Sequence, residues 1–182
     1  PTIDLPVVAV IPSEYIRDDH QRISAYRQLG AAQSVEDIDH IVEELGDRYG
    51  KPPVPVVNLA RLAKLRVWCW QAGVTELSWR DGKVTILLDD RAKLRPRECH
   101  ILVGLYRPAS VRRGKRTEGN GRLAQFTATE HEVSFAADRR DAETLLEKVE
   151  RVLGTLVDRA RENGRRADRA PRERSEARAG NI

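Results

Sequence analysis

Methionine is absent from the 182-residue sequence, which begins at Pro1. We therefore expect a fragment excised from a longer protein, with a partner elsewhere in the parent chain. No apolar run approaches the roughly 18 residues that a membrane span requires, and the N-terminus lacks the basic start and apolar stretch of a signal peptide. These absences predict a soluble, cytoplasmic protein with no membrane partner.

Cysteine is scarce, and the histidines are not spaced as metal ligands. Cys69 and Cys99 are too few and too far apart for a disulfide framework or a zinc knuckle, so we interpret both as buried free thiols. His131-Glu132 lacks the second histidine that would hold zinc on a helix. The sequence predicts no metal site and no cofactor.

The residue patterns of common catalytic centres are also missing. Gly114-Lys115 comes closest to a nucleotide-binding loop, but Ala109 stands where the first glycine belongs and Arg116 where a hydroxyl residue belongs. There is no Gly-x-Ser-x-Gly nucleophile elbow. Asp18-Asp19-His20 could supply an acid or base, but carboxylates at a helix start commonly act as caps, which is our preferred interpretation. We expect a protein that is not an enzyme.

What is present is a change from helical to strand periodicity along the chain. The helical part is predicted to contain a strand or extended segment at 7–11, a helix from Asp18 or Asp19 to Gly30, a second from Ser34 to Gly50, and a third from Pro55 to Ala72. Residues 76–79 and 83–88 alternate around Arg80-Asp81-Gly82, which predicts a β-hairpin.

Shorter elements follow the hairpin. We predict a short helix from Pro96 to Tyr106, strands at 123–127 and 132–136, and a long amphipathic helix capped near Asp138 or Asp141. The predicted fold class is α+β, with N-terminal helices packed on a small, mostly antiparallel sheet and a closing C-terminal helix. We expect one domain at 1–161 and a polar, disordered tail at 162–182, because the tail has no apolar face to bury.

The net charge of +4 is concentrated in one segment. Between residues 107 and 116 the chain has five cations and no acid, and without them it would carry −1: Arg107, Arg112, Arg113, Lys115 and Arg116. Such a loop can attract phosphate, which would make the domain a DNA-phosphate-binding accessory. An ordinary solvated surface loop is the other interpretation.

Three blocks of residues between positions 11 and 66 form a longer pattern. They are Ile11-Pro12-x-x-Tyr15-Ile16-x-Asp18-x-x-x-Arg22-Ile23-x-x-Tyr26-Arg27-x-Leu29, then Glu44-Leu45-x-Asp47-Arg48-Tyr49-Gly50-x-x-Pro53, then Ala63-Lys64-Leu65-Arg66. In order and spacing this pattern resembles the C-terminal domain of the bacterial transcription-repair coupling factors. The similarity becomes weaker after the hairpin, is absent from the tail, and does not extend to the basic segment.

The resemblance implies a regulatory role. In that family a translocase of double-stranded DNA removes stalled RNA polymerase and recruits the repair protein UvrA through a UvrB-like module. The C-terminal domain folds back on that module and hides its UvrA-binding face, while ATP hydrolysis belongs to the motor, outside this chain. The implied partners are the UvrB-like module and the motor, and indirectly UvrA, RNA polymerase and DNA. We expect the isolated domain to be monomeric.

The resemblance also implies an interface. Glu44 and Asp47 lie one turn apart beside the buried stripe of the second helix, and in the family the corresponding acids face arginines of the UvrB-like module. Arg48 is counted in the same interface. Local pairing of the acids with Arg48 or another arginine on this surface is the alternative. Asp18, Arg22, Tyr26 and Arg48 are interpreted as fold-keeping residues that provide a cap, an internal ion pair and a core ring. Trp68, Trp70 and Trp79 are interpreted as core or near-surface packing.

Overall fold

The computed structural model describes residues 1–106 and 126–179, with side chains as far as Arg165. Five helices and five strands lie in these described residues. In chain order they are β1 (Thr2–Asp4), α1 (Asp19–Ala31), α2 (Val35–Tyr49), α3 (Val54–Ala72), β2 (Val74–Arg80), β3 (Lys83–Leu88), α4 (Pro96–Tyr106), β4 (Thr127–Ala128), β5 (Glu132–Ala136) and α5 (Ala142–Ala179). The predicted α+β fold class is confirmed.

The strands form one sheet in the order β1-β2-β3-β5-β4, antiparallel except for the parallel pair β1 and β2. The predicted hairpin is β2–β3, and its turn residues Asp81 and Gly82 have φ angles of 51° and 82°. Two successive positive φ angles are typical of the type I′ turn that joins twisted strands. Along β3 the buried residues alternate at Val84, Ile86 and Leu88, so one face of the sheet meets the core.

The N-terminal residues differ in part from the prediction. The only strand in this part of the chain is β1, which lies ahead of the predicted position, and residues 7–11 belong to no helix or strand. Asn58 Nδ2 donates to Val8 O at 3.1 Å, and Ile11 N donates to Tyr26 Oη at 2.6 Å. Side chains of α3 and α1 therefore satisfy backbone groups that a neighbouring strand would otherwise pair.

The main core lies between the sheet and helices α3, α4 and α5. Its fully buried members come from every layer and include Leu65, Cys69, Leu77, Ile86, Leu145, Leu146, Val149 and Leu153. At about 1.5–3 kcal/mol for each large aliphatic side chain, this cluster is the principal apolar contribution to stability. Two smaller clusters lie among α1, α2 and α3, around Ile16 and Ile38.

Helix α5 begins where Asp141 caps it, since Thr144 N donates to Asp141 Oδ1 at 3.0 Å. Its backbone continues past Arg161 to Ala179, whereas we expected the folded domain to end near Arg161 and a disordered tail to follow. The last residue of α5 in the main core is Val157. The expected boundary thus follows the end of apolar packing and not the end of the helix. The division into 1–161 and 162–182 stays a prediction.

Candidate interdomain surface on the second helix

Helix α2 is strongly divided into an apolar face and an acidic face. Ile38 and Leu45 are buried, and Ile41 and Val42 are partly buried against the small N-terminal clusters. The helix has six acids and one arginine: Glu36, Asp37, Asp39, Glu43, Glu44, Asp47 and Arg48. With the apolar stripe turned inward, α2 presents a net charge of −5 toward solvent, counting its histidine as neutral.

The three residues predicted for the interface lie together near the C-terminal end of this helix. Glu44 Oε1 lies 3.3 Å from Arg48 Nη1, and the two side chains are 56% and 63% exposed. The local pairing that we kept as an alternative is therefore formed by Glu44. An exposed pair at this spacing is worth only about 0.3–0.5 kcal/mol, so a partner cation could replace it at little cost.

Asp47 differs from Glu44 in having no pairing of this kind. It is exposed, and within the described residues it has no cation within 4.0 Å and no side-chain hydrogen bond. Because the carbonyl end of a helix carries partial negative charge, an unpaired carboxylate there is disfavoured by about 0.3–1 kcal/mol. A cation supplied by a partner would remove that penalty.

The end of α2 is held in place by two tyrosines. Tyr15 Oη donates to Leu45 O at 3.0 Å or to Gly50 O at 2.9 Å, so it bonds backbone carbonyls on both sides of the last turn of the helix. Its ring meets that of Tyr49 edge-on at 5.9 Å, and Tyr49 Oη donates to Gln21 Oε1. Burial, and then the neighbouring Tyr49, raise the pKa of Tyr15. Glu44 and Asp47 are thus presented on a fixed surface.

Residues predicted to keep the fold are found mainly in that role. Asp18 caps α1, because its Oδ1 accepts from Gln21 N at 2.8 Å. Arg22 pairs with Asp19 and donates to Ile16 O at 2.8 Å. The prediction of a core ring at Tyr26 is wrong: its side chain is 38% exposed, and its hydroxyl acts instead as the acceptor for Ile11 N.

Sequence reasoning missed the structural role of Arg66. Its guanidinium donates to Leu29 O at 3.1 Å, to Ala32 O at 2.9 Å and to Gly30 O, all at the C-terminal end of α1. That helix has no basic residue in its own last turn, so an arginine from α3 supplies the positive charge. The Ala63-Lys64-Leu65-Arg66 block contained this residue, but its partner carbonyls are far away in the sequence.

The three tryptophans do not form a common surface. Trp68 and Trp79 pack against the main core, and Trp79 Nε1 donates to Ala137 O at 2.8 Å. Trp70 is 76% exposed, which is more than its predicted near-surface packing implied. The predicted phosphate-binding residues, Arg107, Arg112, Arg113, Lys115 and Arg116, lie outside the described residues.

Other chemistry in the described part of the chain is limited. Burial raises the pKa of Cys69 to about 12, so its thiol stays protonated at neutral pH, and burial also raises the pKa of Cys99. Within the described residues, no three His, Cys, Asp or Glu side chains converge as metal ligands. None of the helices described is long and apolar enough to cross a membrane.

Comparisons with known proteins agree with the residue pattern. Residues 5–99, just over half of the chain, match the family model described as the TRCF domain. The transcription-repair-coupling factor of Mycobacterium bovis is 45% identical over 76 residues, which are 42% of this chain and 6% of that protein. The Myxococcus xanthus protein of the same name is 36% identical over 67 residues, 37% of this chain and 6% of that protein.

These matches therefore span only a small part of the length of the curated relatives. A crystal structure described as the C-terminal domain of transcription-repair coupling factor superposes with a TM-score of 0.68. The superposition covers 88% of this chain and 93% of that chain at 18% identity. At that identity the likeness shows a shared fold, in which the order of helices and strands extends beyond the residues that the family model matches.

Proposed function

Because the chain belongs to the TRCF domain family, we propose that it is a non-catalytic regulatory domain of a bacterial transcription-repair coupling factor. In this proposal the domain folds back on a UvrB-like module of its parent protein and masks the face that binds UvrA. Recruitment of repair proteins to stalled RNA polymerase would then wait until the domain is released. Translocation on DNA and ATP hydrolysis belong to other parts of the parent protein.

The observation that carries this proposal is the acidic end of α2. Among the described residues, Asp47 is exposed with no cation within 4.0 Å, and the ion pair of Glu44 is the exposed one with Arg48. Both carboxylates lie on a helix whose other face is fixed by Ile38 and Leu45. A rigid acidic surface of this kind is complementary to a surface that presents arginines, since arginine binds carboxylates through two parallel hydrogen bonds.

The closed arrangement is intramolecular, so a weak contact is sufficient. Tethering raises the effective concentration of the two modules to the millimolar range for a short flexible linker. A few charge pairs can therefore hold the domain, and a competing event in the motor can release it. The proposal places the domain in the cytoplasm as a monomer attached to its motor, with UvrA, RNA polymerase and DNA as indirect partners.

The test uses the full-length parent protein with Glu44→Gln and Asp47→Asn, which keep side-chain shape and remove charge. If the acids meet arginines in a partly desolvated interface, each lost pair costs about 2–5 kcal/mol. Even about 2 kcal/mol shifts the closed-to-open equilibrium by about thirtyfold. We expect capture of UvrA by the double variant without ATP, measured by pull-down, together with an unchanged melting temperature of the isolated domain.

The matched control is Glu130→Gln with Glu147→Gln. Both side chains are exposed, one between β4 and β5 and the other on α5, and the pair removes the same total charge. Capture of UvrA by this control to the same degree would mean that net charge, not the α2 surface, sets the equilibrium. Weak capture by the α2 variant with an intact fold would remove Glu44 and Asp47 from the interface. If recruitment of UvrA is still regulated normally after deletion of the whole domain, the domain has only a structural role at the terminus of the parent protein.

A further inference from the structure

A second surface lies between β5 and α5, on other elements than the acidic helix. Two adjoining cavities of about 280 Å³ and 680 Å³ open there, and Ala136 and Lys148 line both. The smaller is bounded by aromatic rings and by Arg151, and the larger by Trp79 and the turn between β5 and α5. Since the two cavities share these lining residues, we call them together the β5–α5 groove.

The groove is rich in cations that form no direct ion pair among the described residues. Arg139 and Arg140 lie in the turn, and Lys148 and Arg151 lie one helical turn apart on α5; all four are exposed. None has a carboxylate within 4.0 Å among the described residues. The carboxylates that line the larger cavity belong to Asp81 and Asp138, and Asp138 already accepts from Arg140 N at 3.0 Å. The lining therefore has an excess of positive charge.

Aromatic rings form the other wall of the smaller cavity. Phe126 stacks on Tyr106 with 4.8 Å between ring centroids and on Phe135 with 6.0 Å. The Arg151 guanidinium lies 5.8 Å from the Tyr106 centroid. Tyr106 Oη lies 2.9 Å from Arg151 O and 2.9 Å from Thr155 Oγ1, so hydrogen bonding to α5 fixes the ring.

From this arrangement we propose that the β5–α5 groove binds single-stranded nucleic acid. Phosphates lie against Arg139, Arg140 and Lys148, and one base enters the smaller cavity beside the Tyr106–Phe126 wall and Arg151. A cationic track next to aromatic rings is the combination by which proteins bind single strands without sequence preference. A duplex offers its phosphates but keeps its bases stacked, so it gains nothing from the aromatic wall. This proposal is independent of the interdomain surface on α2.

The test measures fluorescence anisotropy of labelled oligo-dT and oligo-U of about 12 nucleotides, within the usual site size of a single-strand groove. The complete 182-residue chain is titrated at several salt concentrations. Lys148→Gln with Arg151→Gln should weaken binding by about tenfold at low salt. It should also reduce the slope of log K against log salt by about 0.7, because Lys148 is the one phosphate contact that this variant loses and each such contact contributes about 0.7 on a single strand.

The matched control is Arg27→Gln with Lys51→Gln, two exposed cations on α1 and in the loop between α2 and α3. It removes the same charge and should leave the salt slope unchanged. Phe126→Leu tests the aromatic wall: it should weaken binding of single strands severalfold while leaving the salt slope unchanged. Circular dichroism and the melting temperature verify that each variant is folded.

Several results would overturn the proposal. These are undetectable binding at low salt, equal losses in the groove and control variants, or a duplex of the same length that binds as tightly as either single strand. The basic segment, residues 107–116, needs a separate experiment, because Tyr106 and Phe126 lie on either side of it in the chain. If neutralising Arg112, Arg113, Lys115 and Arg116 abolishes binding while the Lys148 and Arg151 variant retains it, the contact belongs to that segment and not to the groove.

Discussion

The helical region, residues 7–73, surrounds two small apolar clusters, whereas the sheet region, residues 74–165, shares one large core with α3. In the helical region, polar side chains make many of the contacts between segments that are distant in sequence. Tyr15, Tyr26, Asn58 and Arg66 each bond a backbone group that is distant in sequence. The sheet region depends more on interchangeable aliphatic side chains that fill space between layers.

This contrast explains which part of the chain the family model matches. A hydrogen bond to a particular carbonyl requires one residue type at one position, while an aliphatic core tolerates volume-conserving exchanges. The family match covers residues 5–99, which include the whole helical region and end within α4. The shared fold covers 88% of the chain at only 18% identity, as expected if packing is kept while residue types change.

The largest expected effect comes from opening the shared core. Leu153 on α5 is fully buried, so Leu153→Ala should lower the free energy of unfolding by about 2–5 kcal/mol through lost transfer energy and a residual cavity. The measurement is urea denaturation followed by circular dichroism. Leu105→Ala on α4, where the side chain is 59% exposed, is the control and should change stability by less than about 0.5 kcal/mol. Similar effects of both substitutions would refute the assignment of the core.

A smaller effect should come from a single polar link in the helical region. Arg66→Met keeps an unbranched apolar stem but leaves Leu29 O, Gly30 O and Ala32 O without their donor. Hydrogen bonds to a charged group are worth about 1.5–3 kcal/mol. Because Gly30 is exposed, water can replace part of the lost hydrogen bonding, so we expect the free energy of unfolding to fall by about 1.5–2 kcal/mol.

The control for this prediction is Arg27→Met, on the exposed surface of α1. Arg66→Lys should restore little stability, since an ammonium cannot reproduce the guanidinium fork. Both are compared by denaturant unfolding. A loss for Arg66→Met no larger than for Arg27→Met would mean that water serves the α1 carbonyls equally well, and the contrast between the two regions would weaken.

The secondary structure was largely predictable because caps, turn residues and periodicity are local signals. Ser34 with Asp37 forms the expected capping box, and Asp81-Gly82 forms the expected turn. The strand β1 was not predictable, because Thr2–Asp4 is short and pairs with β2 more than seventy residues later in the chain. Tyr26 was misjudged because its helical position suggested packing, whereas its hydroxyl bonds Ile11 N in a segment without regular structure.

The two candidate sites also differ in how far they could be predicted from the sequence. That Glu44 and Asp47 lie outside the apolar stripe follows from helical spacing alone, and the structure places both side chains at the surface. Their role at an interface stays a prediction. The β5–α5 groove was not predictable, because its cations lie at 139–151 whereas the rings of its smaller cavity come from α4, β5 and the residue before β4, and the packing of both helices against the sheet brings them together. The spacing of residues along the chain does not indicate that these cations and rings come together in the fold.

The sheet region also has polar links between residues distant in sequence, such as Trp79 Nε1 to Ala137 O, and another of these links tests how far the contrast holds. Arg159 on α5 donates to Ala92 O at 2.7 Å and to Lys93 O at 2.6 Å, and its Nε lies 2.8 Å from Glu98 Oε1 on α4. Burial by itself raises the pKa of Glu98. The contact with Arg159 and the hydrogen bond from Arg95 N outweigh that effect, so the pKa of Glu98 is held below its ordinary value.

The pH dependence of Glu98→Gln is therefore the smallest effect that we expect to resolve. A carboxyl with a lowered folded pKa stabilises the protein above its unfolded pKa of about 4.3 and loses that contribution as pH falls through the folded pKa. At pH 7 the variant should be less stable than the wild type by about 1 kcal/mol, and the difference should vanish in acid, where Glu98 is protonated in both folded and unfolded chains. Urea midpoints measured between about pH 3 and pH 7 give this difference directly, and Glu147→Gln on the exposed side of α5 serves as the control. A difference that stays constant across the range would mean that Glu98 acts through its shape and not through its charge, and that its ion pair with Arg159 adds no pH-dependent stability to the sheet region.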